Sequence, residues 1–354
     1  MTLSQPTSAL DLQSKTSSLR DRMQKAQKAA LLGPVRDKAG ELDAAASGML
    51  RLAHDLRERG YAWERDLEAR CIDLRDRWAG IRPGVFSAME RETEALRSRV
   101  ADAEWRFNGA LAQATDYESA LGPLSQADQA VAGLESAANA ANDAIDNMFD
   151  PLGVEVRKLS TTLKSLLEQL KQAAGSSVAW RAGESLVRAV KARWDRDGKD
   201  DPKGWLYLSD QRLIFERDEE VATKKTLFVV TEKKRVQEIQ IDEPVARMTE
   251  LEASKRGLLK NEDHLDARFG AGARFPTVHF HIDGQDCKEW SLTLRRLQAG
   301  ELEATRAVPI SQADRDRLAN APRHCPTCHA PFEDPILRGQ TAIKCAYCGT
   351  STPF

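Results

Sequence analysis

Aromatic residues, cysteines outside the C-terminal tail and long apolar runs are all scarce in this sequence of 354 residues. Aromatic side chains make up 6% of the chain, apolar residues 41% and charged residues 30%, a balance that suits exposed helices better than one large core. No apolar run approaches the roughly 20 residues that a membrane-spanning helix needs. The formal net charge is −2, so no strong overall field favours a polyanionic partner.

The sequence also lacks the signals of export and of common catalytic centres. The first residues, MTLSQPTSALDLQSK, contain no basic segment followed by an apolar run, so we predict no signal peptide and expect a cytoplasmic protein with reduced thiols. We find no phosphate-binding loop, no His-Glu-x-x-His motif and no recognisable Ser-His-acid arrangement. These absences favour a protein without enzymatic activity.

Residues 1–175 follow the periodicity of amphipathic helices and carry almost no strand signal. Apolar residues recur at steps of three, four and seven, as in Leu42, Met49 and Leu56, which places them on one stripe of a helix. A helix from 34 to 80 would be about 70 Å long if unbroken, with Gly48 and Gly60 as points where it can bend. Glycine and proline predict breaks at Gly33-Pro34, Arg82-Pro83-Gly84, Gly122-Pro123 and Asp150-Pro151, giving about five helices.

Helices with one narrow apolar stripe must bury that stripe against each other. The predicted fold of residues 1–175 is therefore an elongated antiparallel helical bundle or coiled coil, which we expect to form a homo-oligomer or to hold a protein partner. A rod that remodels membranes or forms filaments is the alternative. The mixed charge of the polar faces argues against it, because membrane-surface helices usually carry a basic polar face.

From residue 176 the pattern changes to that of short β-strands. Gly175-Ser176-Ser177 suggests a hinge, and the segment 286–297 returns to helical spacing. About five to seven antiparallel strands followed by one helix is the plan of a pleckstrin-homology (PH) type barrel. The predicted strands are 186–194, 205–208, 212–215, 226–230, 236–241, 264–269 and 277–282.

The stretch GWLYLSDQRLIFE, residues 204–216, resembles the signature hairpin of GRAM domains, which belong to the PH-like superfamily. The resemblance covers about 180–300 and implies a PH-like β-barrel capped by one C-terminal helix. Two features depart from the family pattern. The family's Ile-Pro is replaced by Ile241-Asp242-Glu243-Pro244, and the segment from Met248 to Lys260 has the character of an insertion or extension. We therefore transfer the fold and no ligand.

The resemblance implies binding of a lipid headgroup or of a protein. Lipid binding needs basic residues gathered at one end of the barrel, and one group flanks the predicted strand near 227–230. Asp218-Glu219-Glu220 lies nearby in sequence, and charges balance across 176–306. The alternative is therefore a solvated rim that protects a strand edge. The candidate lipid- or partner-binding residues are Lys224, Lys225, Lys233, Lys234 and Arg235.

Four of the six cysteines lie within residues 324–354. They form the pairs Cys325/Cys328 and Cys345/Cys348, each with two residues between the cysteines. This spacing is typical of two knuckles that meet around one tetrahedral ion. Gly349 supplies the positive φ that the second turn needs.

The tail resembles a zinc ribbon or a rubredoxin-type knuckle pair over about 323–351. Four thiolates close the coordination sphere and leave no position for a catalytic water, so we interpret the cofactor as a structural Zn²⁺. An iron redox centre of the rubredoxin type is the alternative. Phe332, Ile336 and Ile343 are expected to pack a small core, with a strand at 341–344.

His279 and His281 lie on one face of a predicted strand, and such a pair can bind a metal ion. The sequence offers no evident third ligand. We therefore expect both imidazoles to be ordinary exposed side chains.

The sequence thus predicts a multidomain α + β protein with a helical bundle or coiled coil (1–175), a PH-like domain (176–306), a linker (307–322) and a zinc ribbon (323–354). The expected function is that of a non-enzymatic cytoplasmic adaptor or scaffold that recognises protein partners or a membrane surface. The alternative is a nucleic-acid-associated zinc-ribbon protein. The charges of 307–354 nearly balance, which argues against it, because phosphate binding normally needs a basic stripe.

Overall fold

The computed structural model combines a long helical N-terminal region, an antiparallel seven-stranded sheet and a two-stranded sheet in the cysteine-rich tail. It describes residues 5–113, 117–196, 201–226, 229–258 and 261–354, with the backbone alone at 5–9, 222–226 and 229–233. The helices are α1 (Gln5–Ala29), α2 (Gly33–Glu58), α3 (Leu67–Gln113), α4 (Tyr117–Asn147), α5 (Asp150–Ala174), α6 (Cys287–Gln298), α7 (Glu301–Ala304) and α8 (Gln312–Ala319). The strands are β1 (Leu186–Asp195), β2 (Lys203–Ser209), β3 (Arg212–Thr226), β4 (Val229–Pro244), β5 (Met248–Arg256), β6 (Glu262–Phe269), β7 (Thr277–Asp283), β8 (Ala342–Lys344) and β9 (Ser351–Pro353).

The chain divides into two compact units, and neither is one continuous segment. The first comprises Met1–Leu50 and Ala69–Thr161, and the second comprises Arg51–Glu68 and Thr162–Phe354. The second unit therefore contains the end of α2, the end of α5, the sheet and the cysteine-rich tail. The four domains predicted from the sequence remain a prediction about which segments fold independently.

The helical unit buries the apolar stripes that the periodicity indicates. Trp78 of α3 is buried, and its ring packs edge-on against Phe149 with the ring centroids 6.0 Å apart. Its indole N–H donates to Asp43 Oδ1 at 2.8 Å, so the one polar atom of the ring is satisfied. Arg22 of α1 pairs with Glu135 of α4 at 2.7 Å. The predicted long helical region is confirmed.

Two of the four predicted helix breaks are wrong. α2 begins at Gly33 and α5 at Asp150, as expected, but α3 continues through Pro83 and α4 through Pro123. Each proline removes one backbone hydrogen bond. At Pro83 the helix face is exposed from 81 to 84, so water can bind the freed carbonyl, while burial of the next residues favours continuing the helix.

The predicted helix from 34 to 80 is also wrong, because the chain leaves the helix after Glu58. Gly60 has φ +87° and ends α2 in a Schellman motif. The Gly60 N–H donates to Arg57 O at 2.9 Å, and the Tyr61 N–H donates to Leu56 O at 2.9 Å. Gly48, the other predicted bend, lies inside regular α2.

The segment after this break packs in the second unit. Trp63 is buried, and its indole N–H donates to Leu186 O at 2.7 Å. The Ala307 N–H donates to Ala62 O at 2.7 Å, and the Arg65 N–H donates to Thr305 O at 2.8 Å. These bonds fix the residues that follow α7 beside the start of β1.

The large sheet is antiparallel and consists of two meanders, β1 to β4 and β5 to β7, joined by the pairing of β1 with β7 in the order β4-β3-β2-β1-β7-β6-β5. The predicted hairpin of 205–208 with 212–215 is confirmed, with Tyr207 opposite Ile214 and Leu206 opposite Phe215. On the inner face Phe215 meets Phe280 of β7 at 5.4 Å between ring centroids. β4 and β5 form the two edges, so the described part of the sheet is open.

Two strand predictions need correction. The predicted strand 226–230 is split, since Thr226 ends β3, Val229 begins β4, and residues 227 and 228 lie outside the described residues. The segment from Met248 to Lys260, predicted to be an insertion or extension, contributes β5, which pairs with β6. The pairing of β5 has a register shift between Met248 and Glu250. Such an irregularity interrupts the alternation of buried and exposed residues by which a strand is identified in a sequence.

Helix α6 covers part of β5 and lies beside the sheet as predicted. Trp290 and Leu294 of α6 are buried. Ser291 Oγ donates to Leu251 O at 2.9 Å, and Gln298 Nε2 donates to Met248 O at 2.9 Å, so side chains of α6 satisfy carbonyl groups of an edge strand. Among the described residues, none of the helices has the length and apolar character required to cross a bilayer.

Candidate metal centre

The two Cys-x-x-Cys segments adopt the same backbone turn. In the first, the Cys325 N–H donates to Ala330 O and the His329 N–H donates to Cys325 O, both at 2.9 Å. In the second, the Cys345 N–H donates to Thr350 O at 2.8 Å and the Gly349 N–H donates to Cys345 O at 3.0 Å. The repetition of one hydrogen-bond pattern indicates two matched knuckles.

Each turn needs a residue with positive φ at the position after its second cysteine. His329 has φ +58° and Gly349 has φ +75°. Glycine adopts this conformation freely, whereas histidine does so at a steric cost that the turn must offset. The position predicted for Gly349 is therefore confirmed, and His329 occupies the equivalent place in the first knuckle.

The four sulfur atoms form a cluster that fits one tetrahedral ion. Cys325 Sγ lies 3.6 Å from Cys348 Sγ, and Cys328 Sγ lies 3.6 Å from Cys345 Sγ. All four atoms lie within 4.8 Å of one another. A tetrahedral ion with metal–sulfur bonds of about 2.3 Å separates its sulfurs by about 3.8 Å. The predicted ligands are thus brought together, and this donor set can hold a metal ion.

Backbone and side-chain hydrogen bonds tune the thiols. A hydrogen bond from Thr350 lowers the pKa of Cys348 to about 6. The backbone N–H of Cys328 lowers the pKa of Cys325. For Cys328 the N–H of Ala330 lowers the pKa, but desolvation and the neighbouring thiols outweigh it and raise the pKa to about 12. Hydrogen bonds and neighbouring thiols thus shift the pKa values of these three cysteines in different directions.

A small apolar core lies beside the cysteine cluster. Cys325 and Cys345 are buried, and Cys328 and Cys348 are exposed. Ile343 is buried on β8, the strand predicted there, which pairs with β9. Leu337 is buried as well, whereas Phe332 and Ile336 are only half-buried.

The tail is held against the large sheet through a buried carboxylate. Asp210, in the turn between β2 and β3, contacts the guanidinium groups of Arg306 and Arg338. Its Oδ1 also accepts from the Ser185 N–H at 3.0 Å. The side chains of Asp210, Arg306 and Arg338 are 3%, 5% and 11% exposed, respectively. Water therefore does not screen these ion pairs.

The loop that carries Arg338 also fits closely against the segment before β1. Arg338 donates to Gly183 O at 3.1 Å. Gly339 has φ +79°, and a Cβ there would lie 2.7 Å from Ala182 N and 2.8 Å from Ala182 O. Only glycine fits this approach without moving a backbone. The cysteine-rich tail therefore lies in a defined position on the sheet.

The signature hairpin itself is internal. Arg212 pairs with Glu184 at 2.7 Å and with Asp242 at 2.6 Å, and Glu184 is fully buried. Burial alone raises the pKa of Glu184, but hydrogen bonds from Arg212 and Ser209 outweigh it, so the pKa is lowered. The residues that carry the GRAM resemblance thus stabilise the fold. Sequence reasoning did not identify their partners, since Glu184 and Asp242 lie 28 and 30 residues from Arg212.

The predicted basic group is described only in part. The side chains of Lys224, Lys225 and Lys233 lie outside the described residues. Lys234 is exposed. Arg235 donates to both carboxylate oxygens of Asp218, at 2.6 and 2.8 Å. A bidentate pair of this kind neutralises the guanidinium locally.

No protein-family model and no curated protein matches the chain. Two crystal structures of the DH/PH domains of p115-RhoGEF, one of them of a point mutant, have 14% and 13% sequence identity to it. The alignments cover 78% and 77% of this chain and 98% and 94% of those chains, with TM-scores of 0.21 and 0.19. Likeness at this level carries no argument about the fold or the function of this chain.

Proposed function

We propose that the tail is a zinc ribbon with a structural Zn²⁺ held by Cys325, Cys328, Cys345 and Cys348. Matched knuckles and a sulfur spacing near that of a tetrahedral site support this assignment. Four protein thiolates leave no coordination position for a substrate or for an activated water. The ion supplies folding free energy to a segment whose apolar core is small.

We propose further that the large sheet and α6 form a PH-like domain. The strand order, the helix α6 that directly follows β7 and the hairpin of residues 204–216 support it. The charged side chains of the hairpin interact with other groups of the domain. Arg212, for example, pairs with Glu184 and Asp242. These residues therefore offer no charge to a ligand.

From these parts we infer a non-enzymatic adaptor that binds protein partners. The observation that carries this proposal is a closed four-thiol centre held against the sheet by Arg338 and Asp210. Such an arrangement holds a surface in a fixed shape and supplies no reactive group. The helical region serves as the oligomerisation or docking element.

An apolar groove in the helical unit supports the oligomer. It has a volume of about 420 Å³ and lies between α1 and α3, with Ala30, Leu31 and Val100 in its lining and with polar and charged side chains, among them Lys28 and Arg97, at its rim. Leu31 is 64% exposed. An exposed apolar groove of this kind is typical of a protein contact site.

We expect the full-length protein to be a dimer at micromolar concentration, and Leu31→Glu to convert it to a monomer, because a charged carboxylate would replace an apolar contact and would lose its hydration at the interface. Sedimentation velocity measures the change. The matched control is Leu292→Glu on α6, which replaces an apolar residue of similar exposure, 57%, and should leave the dimer intact. A wild-type protein that sediments as a monomer would contradict the proposed oligomerisation.

We expect the protein not to sediment with vesicles, whether neutral or anionic, since Arg235 is already paired with Asp218. Co-sedimentation at low and at high salt tests this expectation. Binding to anionic vesicles that disappears at high salt and in a Lys234→Glu, Arg235→Glu variant would instead assign the basic group to a membrane surface.

A further inference from the structure

Three of the six histidines lie side by side on β6 and β7. His264 stands opposite His281 in the strand register, and their rings stack with centroids 4.8 Å apart and planes 9° apart. His279 stacks on His264 at 5.1 Å. The prediction that His279 and His281 are plain exposed side chains is wrong, since both are half-buried and a third imidazole, His264, is buried beside them.

The hydrogen bonds around these rings fix where the protons lie. Arg256 donates to Asp266 Oδ2 at 2.8 Å, so this carboxylate oxygen accepts a hydrogen bond from a guanidinium. His279 Nδ1 contacts Asp266 and must donate to it. His279 Nε2 is then an acceptor, with His264 Nδ1 at 2.9 Å and the Arg256 guanidinium at 3.4 Å, and the shorter contact places a proton on His264 Nδ1. The neutral His264 ring therefore has its lone pair on Nε2.

That lone pair faces a second acceptor. His264 Nε2 lies 3.4 Å from Glu262 Oε2. Two acceptors that face each other repel unless a proton on Nε2 or a metal ion lies between them. A tetrahedral zinc ion with bonds of about 2.0–2.1 Å to nitrogen and oxygen separates two ligands by about 3.3 Å. The separation in the structure therefore matches that of two ligands on one ion.

We propose that Glu262, His264 and His281 form a second metal site, for zinc or a similar first-row divalent ion. One ligand atom from each of the three residues lies within 4.8 Å of the others. Two imidazoles and one carboxylate are a common donor set for zinc, and they leave a fourth position for water. His279 and Asp266 hold His264 in the tautomer that presents Nε2 to the ion.

Arg193 competes with the ion for His281. Its guanidinium donates to His281 Nδ1 at 3.0 Å, which places the proton of the neutral ring on Nε2. An ion that binds His281 must displace this contact. Arg193 is exposed, so its side chain can move into water at little cost.

The experiment is a zinc titration of the full-length protein whose cysteine centre has first been given one equivalent of zinc. We expect a second equivalent to bind, as measured by equilibrium dialysis with elemental analysis. Glu262→Gln should weaken the second equivalent, and Asp266→Asn should weaken it about 10–100-fold by releasing His279. Arg193→Gln should tighten it. Cobalt in the second site should give ligand-field bands without sulfur-to-metal charge transfer.

The matched control is Glu250→Gln on the adjacent β5, whose side chain is 50% exposed against 48% for Glu262. It should leave the second equivalent unchanged. Glu262→Gln alters an exposed side chain, so circular dichroism should remain that of the wild type and separate ligand loss from unfolding. Failure of the wild-type protein to bind a second equivalent, or binding that Glu262→Gln leaves unchanged, would overturn the site. An Arg193→Gln variant with unaltered affinity would remove His281 from it.

Discussion

Cys345→Ser should release the metal and unfold the tail while leaving the helices intact. A serine hydroxyl stays protonated at neutral pH and binds zinc poorly, so one of four ligands is lost. Structural zinc in small zinc-binding modules supplies about 10–16 kcal/mol of apparent binding free energy, which is folding free energy for the module. We therefore expect amide protection across 323–354 to disappear in hydrogen exchange, with the helical circular dichroism almost unchanged.

The control for this variant is Ala346→Ser, which places the same hydroxyl on the neighbouring exposed position of the knuckle. It should retain both the metal and the protection of the tail. Loss of helical circular dichroism in Cys345→Ser would contradict a separate role for the tail. Full protection of the tail without metal would contradict the structural role of the ion.

Gly339→Ala should detach the tail from the sheet without releasing the metal. Positive φ costs a residue with a Cβ about 1–2 kcal/mol, and the overlap with the backbone of Ala182 adds about 1–3 kcal/mol. We expect the free energy of unfolding of the second unit to fall by the sum of both terms, with faster hydrogen exchange at 181–183 and 337–340. Denaturant unfolding and hydrogen exchange measure the two effects.

Gly284→Ala is the matched control for the clash. Gly284 has a similar φ of +77°, but nothing lies within 4 Å of a Cβ built there. The free energy of unfolding of Gly284→Ala should fall only by the cost of placing alanine at positive φ, about 1–2 kcal/mol. Equal losses in the two variants would mean that the tail does not pack against Ala182 as closely as the structure places it.

The sequence predicted those features that depend on neighbours along the chain. The Cys-x-x-Cys spacing and Gly349 located the knuckles, because a knuckle is a local turn. The strand-forming runs at 205–208 and 212–215, with the polar turn at Ser209-Asp210 between them, located the central hairpin for the same reason. The four-thiol cluster needed only the further assumption that two knuckles share one ion.

The features that the sequence did not predict depend on partners distant along the chain. Asp210 meets Arg306 and Arg338, which lie 96 and 128 residues away, and no local pattern marks such a contact. His264 joins His279 and His281 only through the pairing of β6 with β7. A proline likewise predicts the end of a helix only weakly. α3 continues past Pro83 because burial of its apolar stripe stabilises the helix on both sides of the proline.

X-ray absorption at the metal edge, on full-length protein holding one equivalent of its native metal, tests the central claim most directly. The account predicts zinc with four sulfur neighbours at about 2.3 Å, and Cys345→Ser should lose this signal. Iron in place of zinc would assign a redox centre to the tail. A first equivalent bound mainly by nitrogen and oxygen would contradict the structural zinc ribbon on which the proposed adaptor depends.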